Sequence, residues 1–212
     1  MTDVWSDRAD AYRQSREHSE GWDLDVLVEW AEGAHTAVDV ATGGGHVTRR
    51  LRERGLEVVS VDPSPGMQAD VVSRAEELPF ADGSFDLAVC RLAAHHFEDV
   101  GAGIREMARV ARDLVLVVDN LWMGDEDEEA SRLRDPSHVR NYSADEWRAL
   151  FAGAGLPIEN EQIGERRIEF EPWLARAGCE GQEAARVREL LADRIADGYL
   201  TVERGIFKAR KR

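Results

Sequence analysis

Two short segments limit what this chain can fold into. Residues 38–49 read VDVATGGGHVTR, and residues 58–67 read VVSVDPSPGM. The first is an apolar strand that breaks into glycines and then into helix-compatible residues. The second is an apolar strand that ends on an acid, Asp62. Together they have the layout of a βαβ unit built around a nucleoside-bearing ligand. Glycines let the backbone come close and aim N–H groups at such a ligand, and a carboxylate at the tip of the next strand can accept both ribose hydroxyls.

The spacing of the glycines discriminates between cofactors. Counting from Asp39, they fall four, five and six residues later, at Gly43, Gly44 and Gly45, with Ala41 two residues later. A dinucleotide fingerprint starting at Gly43 needs glycine at position 48, where Thr48 stands, so an NAD(P)-dependent oxidoreductase is the weaker alternative. An acid set before a small-x-Gly-x-Gly loop instead resembles the D-x-G-x-G-x-G motif of class I S-adenosylmethionine (SAM) methyltransferases, with Ala41 in the first glycine place. SAM has no pyrophosphate to cradle, but it has an ammonium that an acid at a strand end attracts.

The resemblance extends along most of the chain. Residues 75–100, AEELPFADGSFDLAVCRLAAHHFEDV, look like the adenine-contacting loop and fourth strand of the ubiquinone/menaquinone-type (methyltransferase domain 11-like) branch. Residues 114–120, LVLVVDN, look like its fifth strand, and residues 133–156 resemble a stretch of small bacterial and archaeal methyltransferases of that branch. This implies an α/β, Rossmann-like, doubly wound and mostly parallel seven-stranded sheet. It also implies SAM as cofactor and methyl transfer to a small-molecule acceptor, a quinone precursor by analogy. A SAM-binding paralogue that regulates rather than catalyses is the non-enzymatic alternative.

Strands are expected at residues 37–41, 57–61, 85–90 and 114–119, alternating with helical stretches. Only about seven residues separate Asp62 from the next apolar run at 69–73, whereas a helical crossover takes roughly a dozen or more, so the helix between strands two and three is expected to be missing. After strand four, Asp99 should cap a helix that buries Val100, Ile104, Met107, Ala108 and Ala111, and residues 111–113 replace the longer turn usual before strand five. Ser143 and Glu146 form a capping box ahead of a Trp147, Leu150, Phe151, Ala154 stripe that Gly155 ends.

With 212 residues and 43% hydrophobic content, a single domain over 1–212 is expected, with an N-terminal helical cap over 1–33 and a lid-like insertion over 121–142. Residues 1–21 contain no apolar core of a signal peptide, and the longest aliphatic run, 114–118, is too short to cross a bilayer. A cytoplasmic protein without membrane insertion follows as the expectation. Cys90 and Cys179 suggest neither a disulfide framework nor a metal-ligand pair.

The motif and the resemblance assign Asp39, Ala41, Thr42, Gly43, Gly45, Asp62, Pro63, Met67, Ala75, Glu76 and Arg91 to the cofactor. Asp62 is expected on the ribose hydroxyls, Met67 against an adenine face, and Ala75 and Glu76 at the adenine edge, where Arg74 replaces a frequent Asp. His95, His138 and Tyr142 are the candidate bases, should the acceptor have to lose a proton. Tyr12, His18 and Arg140 lie in flanking segments of the kind that close over the pocket and are assigned to the acceptor.

The net charge is −15, from 42 acids against 27 Lys and Arg, and only Lys208 and Lys211 are lysines. Such a surface argues against nucleic acid, which needs clustered cations, and the basic run 208–212 is expected to be a solvated tail. It suits a salt-rich cytoplasm, pointing to a halophilic source. If so, the melting temperature should rise markedly between dilute buffer and molar KCl, because repulsion is screened over a Debye length of ~3 Å at 1 M. A melting temperature flat across that range would remove salt adaptation as the reason for the charge.

Overall fold

Parallel strands that are apolar on both faces need helices on both sides to bury them. In the computed structural model, which describes residues 4–211, the strands are β1 (Thr36–Val40), β2 (Glu57–Asp62), β3 (Val71–Val72), β4 (Phe85–Arg91), β5 (Ala111–Asn120), β6 (Ile158–Glu169), β7 (Ile195–Ala196) and β8 (Tyr199–Arg210). Their order is β3-β2-β1-β4-β5-β8-β6, with β7 pairing on β8. Strands β1 to β5 pair in parallel, and β8 runs antiparallel between β5 and β6. The expected seven strands are all present, and the two-residue β7 is an eighth.

The helices are α1 (Val4–Arg13), α2 (Arg16–Ser19), α3 (Trp22–Trp30), α4 (His46–Glu53), α5 (Val100–Val110), α6 (Asp125–Arg134), α7 (Ala144–Gly153), α8 (Phe170–Arg176) and α9 (Gly181–Leu190). Alternation along each strand divides the core between two faces. Val115 and Val117 of β5 join Ile104 and Met107 of α5 and Trp147 and Phe151 of α7 on one face. Leu114, Leu116 and Val118 join Leu24 and Leu27 of α3 and Leu51 of α4 on the other. A third apolar cluster lies beneath the projecting ends of β6 and β8, where Ile168, Leu200 and Val202 pack with Ala130, Leu174 and Val187 of α6, α8 and α9. Among the described residues no helix is long and apolar enough to cross a membrane.

Several local expectations stand with small changes. Between β2 and β3 only a short 3-10 turn, Pro65–Met67, replaces a crossover helix, and β3 shrinks to two residues. Asp99 caps α5 by accepting from the Ala102 N–H, and both bonds of the Ser143–Glu146 capping box form. Ala111 does not belong to the α5 stripe: α5 runs directly into β5 there, which is why no longer turn precedes that strand. The basic run is not a solvated tail. Lys208, Ala209 and Arg210 complete β8 against β5, and the Lys211 ammonium donates to the carbonyls of Ala108 and Ala111. A strand that must pair in the middle of a sheet outweighs its own polar composition; Arg212 lies outside the described residues.

A buried ionic network fastens the N-terminal helices to the sheet. Asp23 of α3, fully buried, accepts from Arg91 Nε of β4 at 2.6 Å and from Arg204 Nη1 of β8 at 3.2 Å. Arg204, also fully buried, donates to Asn120 Oδ1 of β5 and reaches Glu17 of α2, which also pairs with Arg176 of α8. Burial opposes ionisation of Asp23, but Arg204 and Arg91 outweigh it and hold the carboxyl below its ordinary value. Removing one member leaves its partners charged and buried. Asp23→Ala should therefore cost about 3–5 kcal/mol of unfolding free energy. Chemical denaturation is the check, and a cost under about 1 kcal/mol, the scale of an exposed pair, would show that water replaces the carboxylate.

Candidate functional site

Strand order reverses between β1 and β4, and at such a switch point the loops leaving the two strands part and open a crevice at their carboxyl ends. A cavity lined by both loops lies there. Both loops begin on a residue in the left-handed region that is not glycine: Ala41 after β1, with φ 55°, and Leu92 after β4, with φ 56°. The family motif places a glycine at the first of these positions for that reason.

The loop after β1 is held from behind. Asp39 Oδ2 accepts from Thr42 Oγ1 at 2.6 Å, from Thr48 Oγ1 at 2.6 Å and from the Thr48 N–H at 3.0 Å. Burial nevertheless raises its pKa above the ordinary carboxylate value, ahead of the opposing bonds from both threonines. Asp39 is thus not in the cavity, as its assignment to the cofactor had it. It is 1% exposed and turned into the loop, and Thr48, the residue that breaks the dinucleotide pattern, supplies two of its three donors. Gly45 is likewise outside the cavity lining, at the N-terminus of α4 with φ 72°. Gly44 has a steric reason: a Cβ there would stand 2.7 Å from the Tyr12 carbonyl oxygen. That carbonyl accepts from His46 Nε2 at 2.9 Å, so the glycine lets α1 close directly onto the loop.

Twelve assigned residues do line the cavity: Tyr12, His18, Ala41, Thr42, Gly43, Asp62, Pro63, Met67, Ala75, Glu76, Arg91 and His95. Asp62 ends β2, where its carboxylate accepts from the Gly43 N–H and the Ser64 N–H, each at 2.9 Å. These bonds fix the orientation of the carboxylate at the tip of the strand. Glu76 accepts from the N–H groups of Glu98 and Asp99, and Arg74 is paired with Glu98 at 2.9 Å. Arg91 is committed to Asp23 and to the His18 carbonyl, so its contact with the cavity is only partial.

At the other end stands an oriented imidazole. His95 Nδ1 donates to Asp119 Oδ1 at 2.6 Å, and the His95 N–H donates to Asp119 Oδ2 at 2.9 Å. Burial opposes ionisation of Asp119, but His95 and the bonds it accepts hold its pKa below the ordinary value. A carboxylate on Nδ1 fixes the tautomer with Nε2 as the acceptor, the form a general base requires.

Three further assignments are corrected. His138 is buried outside the cavity, its Nε2 donating to Glu128 Oε1 at 3.0 Å. Arg140 points to the surface, paired with Glu146 and lying over the Tyr142 ring, its Cζ 4.9 Å from the centroid. Tyr142 packs edge-on against Trp147, away from the cavity. The common cause is that the 135–142 loop is drawn inward by its backbone: the N–H groups of Val139 and Arg140 both donate to the His95 carbonyl. The loop supports His95 from behind instead of covering it. Conversely, Trp5, Glu17, His46, Arg134, Trp173 and Arg176 line the cavity without having been assigned. His46 stands within the glycine-loop motif itself; for the others the only sequence signal is a position in flanking segments, since a lone Arg or Trp on a helix reads as surface or core.

His138 generates a pH prediction. Burial first, then the charge of His95, pushes its pKa down to about 4 from 6.5. In the unfolded chain it takes up a proton below pH 6.5, whereas in the folded protein it does so only near pH 4. The unfolded state therefore binds more protons in this window, and stability falls as pH drops from about 6.5 to 4, on the order of 3 kcal/mol. Denaturation series should show that decline in the parent protein and a shallower one in His138→Gln. Parallel slopes would assign the decline to other groups.

Comparison with known proteins agrees with this geometry. Residues 38–117 match the methyltransferase domain family. The chain is 35% identical over 199 residues to the uncharacterized methyltransferase YcgJ of Bacillus subtilis, covering 82% of this chain and 78% of that one. It superposes on the crystal structure of YcgJ with a TM-score of 0.79 over 90% of this chain and 98% of that one, at 27% identity. Demethylmenaquinone methyltransferase of Beutenbergia cavernae is 36% identical over 99 residues, 42% of this chain and 40% of the relative. The fold is shared with Burkholderia thailandensis 1,6-didemethyltoxoflavin-N1-methyltransferase, solved with S-adenosylhomocysteine, at a TM-score of 0.61 and 15% identity over 99% of this chain and 87% of that one. This chain belongs to the methyltransferases that use S-adenosylmethionine.

Proposed function

We propose that this protein transfers the SAM methyl group to a small-molecule acceptor whose nucleophilic atom is deprotonated by His95. The observation that carries this reading is the His95–Asp119 pair, an imidazole held in one tautomer at the edge of the cavity that Asp62 also lines. The residues present suit the cofactor. The Asp62 carboxylate at the tip of β2 would take the ribose hydroxyls, with Met67 and Ala75 about the base and the Gly43 backbone beside the nucleoside. When bound, SAM supplies an activated methyl on a sulfonium, so the protein's part is alignment, exclusion of water and handling of the acceptor proton.

Asp119 holds the imidazole in place and stabilises the imidazolium formed when His95 Nε2 takes the acceptor proton. Tyr12 and His18 of the N-terminal segments, and Trp173 of α8, line the same cavity. We read residues 1–212 as a single methyltransferase domain, in which the 121–142 insertion contributes the Arg134 wall. A small acceptor is favoured by the fold similarity to a small-molecule methyltransferase.

The test has two arms. Asp62→Ala should weaken SAM binding by about 2–4 kcal/mol in calorimetry, since charge-assisted bonds are worth about 1.5–3 kcal/mol each and are seldom additive. His95→Ala should leave SAM affinity intact and reduce turnover of an acceptor found by panel screening by about 10²–10⁴, the usual share of a general base. Unchanged SAM affinity in the first variant sinks the cofactor assignment. Unchanged turnover in the second means that the acceptor reacts without losing a proton to His95.

A further inference from the structure

Four arginines reach the cavity lining, and three of them have carboxylate partners. Arg74 pairs with Glu98 at 2.9 Å, Arg91 with Asp23 at 2.6 Å, and Arg176 with Glu17. Arg134 differs. Its Nε donates to the Trp173 carbonyl at 3.0 Å, and its guanidinium lies over the Trp173 ring with Cζ 4.3 Å from the centroid. Among the described residues, nothing accepts from its Nη1 or Nη2. The nearest acid in sequence, Asp135, spends its Oδ1 on Arg8 and Ser137, and its buried Oδ2 takes no hydrogen bond from Arg134 or any other group among the described residues.

This is a cation with no carboxylate bonded to it, in a chain that carries 42 acids for 27 Lys and Arg. A shortage of carboxylates is not the reason. The neighbourhood is positive as a whole, since Arg91, Arg134, Arg176 and Arg204 outnumber the acids they act on, Glu17, Asp23 and Asp135, and His18 is kept neutral by burial, which pushes its pKa well below the ordinary value. A second donor is also left over: Arg91 Nη2 is buried, lies on a side chain only 2% exposed and has no partner. Stacking on Trp173 holds the Arg134 fork in one plane with two adjacent N–H groups on its open side, the geometry that receives a carboxylate in bidentate fashion.

We propose that the acceptor is a small apolar or aromatic acid, whose carboxylate docks on Arg134 while its body lies among Trp5, Tyr12 and Trp173. The proposal rests on the methyl-transfer reading and deepens it by naming the acceptor class. Specificity follows from the same geometry: a neutral analogue of that acid would leave the stacked guanidinium dehydrated and unpaired, and so would be rejected.

The experiment uses the full chain saturated with S-adenosylhomocysteine and titrated calorimetrically with 2-naphthoate and, separately, with its amide, 2-naphthamide. The acid should bind about 10- to 100-fold more tightly than the amide, the range expected of a charge-assisted pair. Arg134→Gln should abolish the preference, Arg134→Lys should restore part of it, and S-adenosylhomocysteine affinity should be the same in all three proteins. Equal affinity for acid and amide, no binding of the acid, or a preference that survives in Arg134→Gln would each overturn the proposal. So would a loss of S-adenosylhomocysteine affinity in Arg134→Gln, which would give Arg134 to the cofactor's own carboxylate. Should the parent protein fail to bind S-adenosylhomocysteine, the methyl-transfer reading fails, and the acid-against-amide comparison is then made on the ligand-free chain.

Discussion

The paired charges of Asp23, Arg91, Arg204, Glu17 and Arg176 are the interaction on which the site depends. They join α2, α3, β4, β8 and α8, segments that lie far apart in the chain, at one end of the sheet. A well-packed apolar cluster could stabilise that junction as effectively, because charges taken out of water lose most of what their attraction returns. What the ionic network adds is geometry. Each guanidinium has fixed donor directions, so the N-terminal helices have one way to lie across the carboxyl edge of the sheet. The cavity wall made by Tyr12 and His18 inherits that position, and Glu17, held down to about pKa 2 against burial chiefly by Arg176 and also by Arg204, stays charged through the physiological range.

The two ends of the cavity differ in sign for reasons of chain direction. Parallel strands place all their carboxyl ends on one edge, so Asp62 at the end of β2 and the Asp119–Asn120 step at the end of β5 lie on the same side of the sheet, separated by β1 and β4. The β2 end presents a carboxylate oriented by backbone N–H groups. The β5 end presents a carboxylate already committed to an imidazole, and beyond it the guanidiniums of α6 and α8. One edge therefore carries a carboxylate at one end, and an imidazole and guanidiniums at the other. Alignment of two ligands along that edge is the main thing methyl transfer asks of a protein.

What was readable in the linear sequence was whatever is local. Periodicity and turn chemistry act over a few residues, so the parallel strands β1, β2, β4 and β5, the Asp99 cap, the Ser143–Glu146 capping box and the missing β2–β3 helix were legible from residues that touch their sequence neighbours. The glycine loop and Asp62 belong to the same class, because a strand, its turn and the next parallel strand form one unit. Asp39 marks the limit of that reasoning. Its presence in the motif was legible, but its role was not: whether the carboxylate faces a ligand or the loop depends on Thr42 and Thr48, and the Thr48 hydroxyl approaches only once α4 has formed.

The sequence by itself determined the class of fold, the strand ends that carry the site and the kind of cofactor that such a loop accepts. Only the tertiary structure decided that His95, and neither His138 nor Tyr142, faces the cavity, and that Arg134 and Trp173 stand there while Arg140 does not. It also turned the basic C-terminal run into a sheet strand. The physical reason is the same in each case. The environment of a polar side chain is set by partners dozens of residues away, such as Asp119 for His95, Glu128 for His138 and the Trp173 ring for Arg134. Those partners are chosen by how the layers pack, which no window along the chain contains.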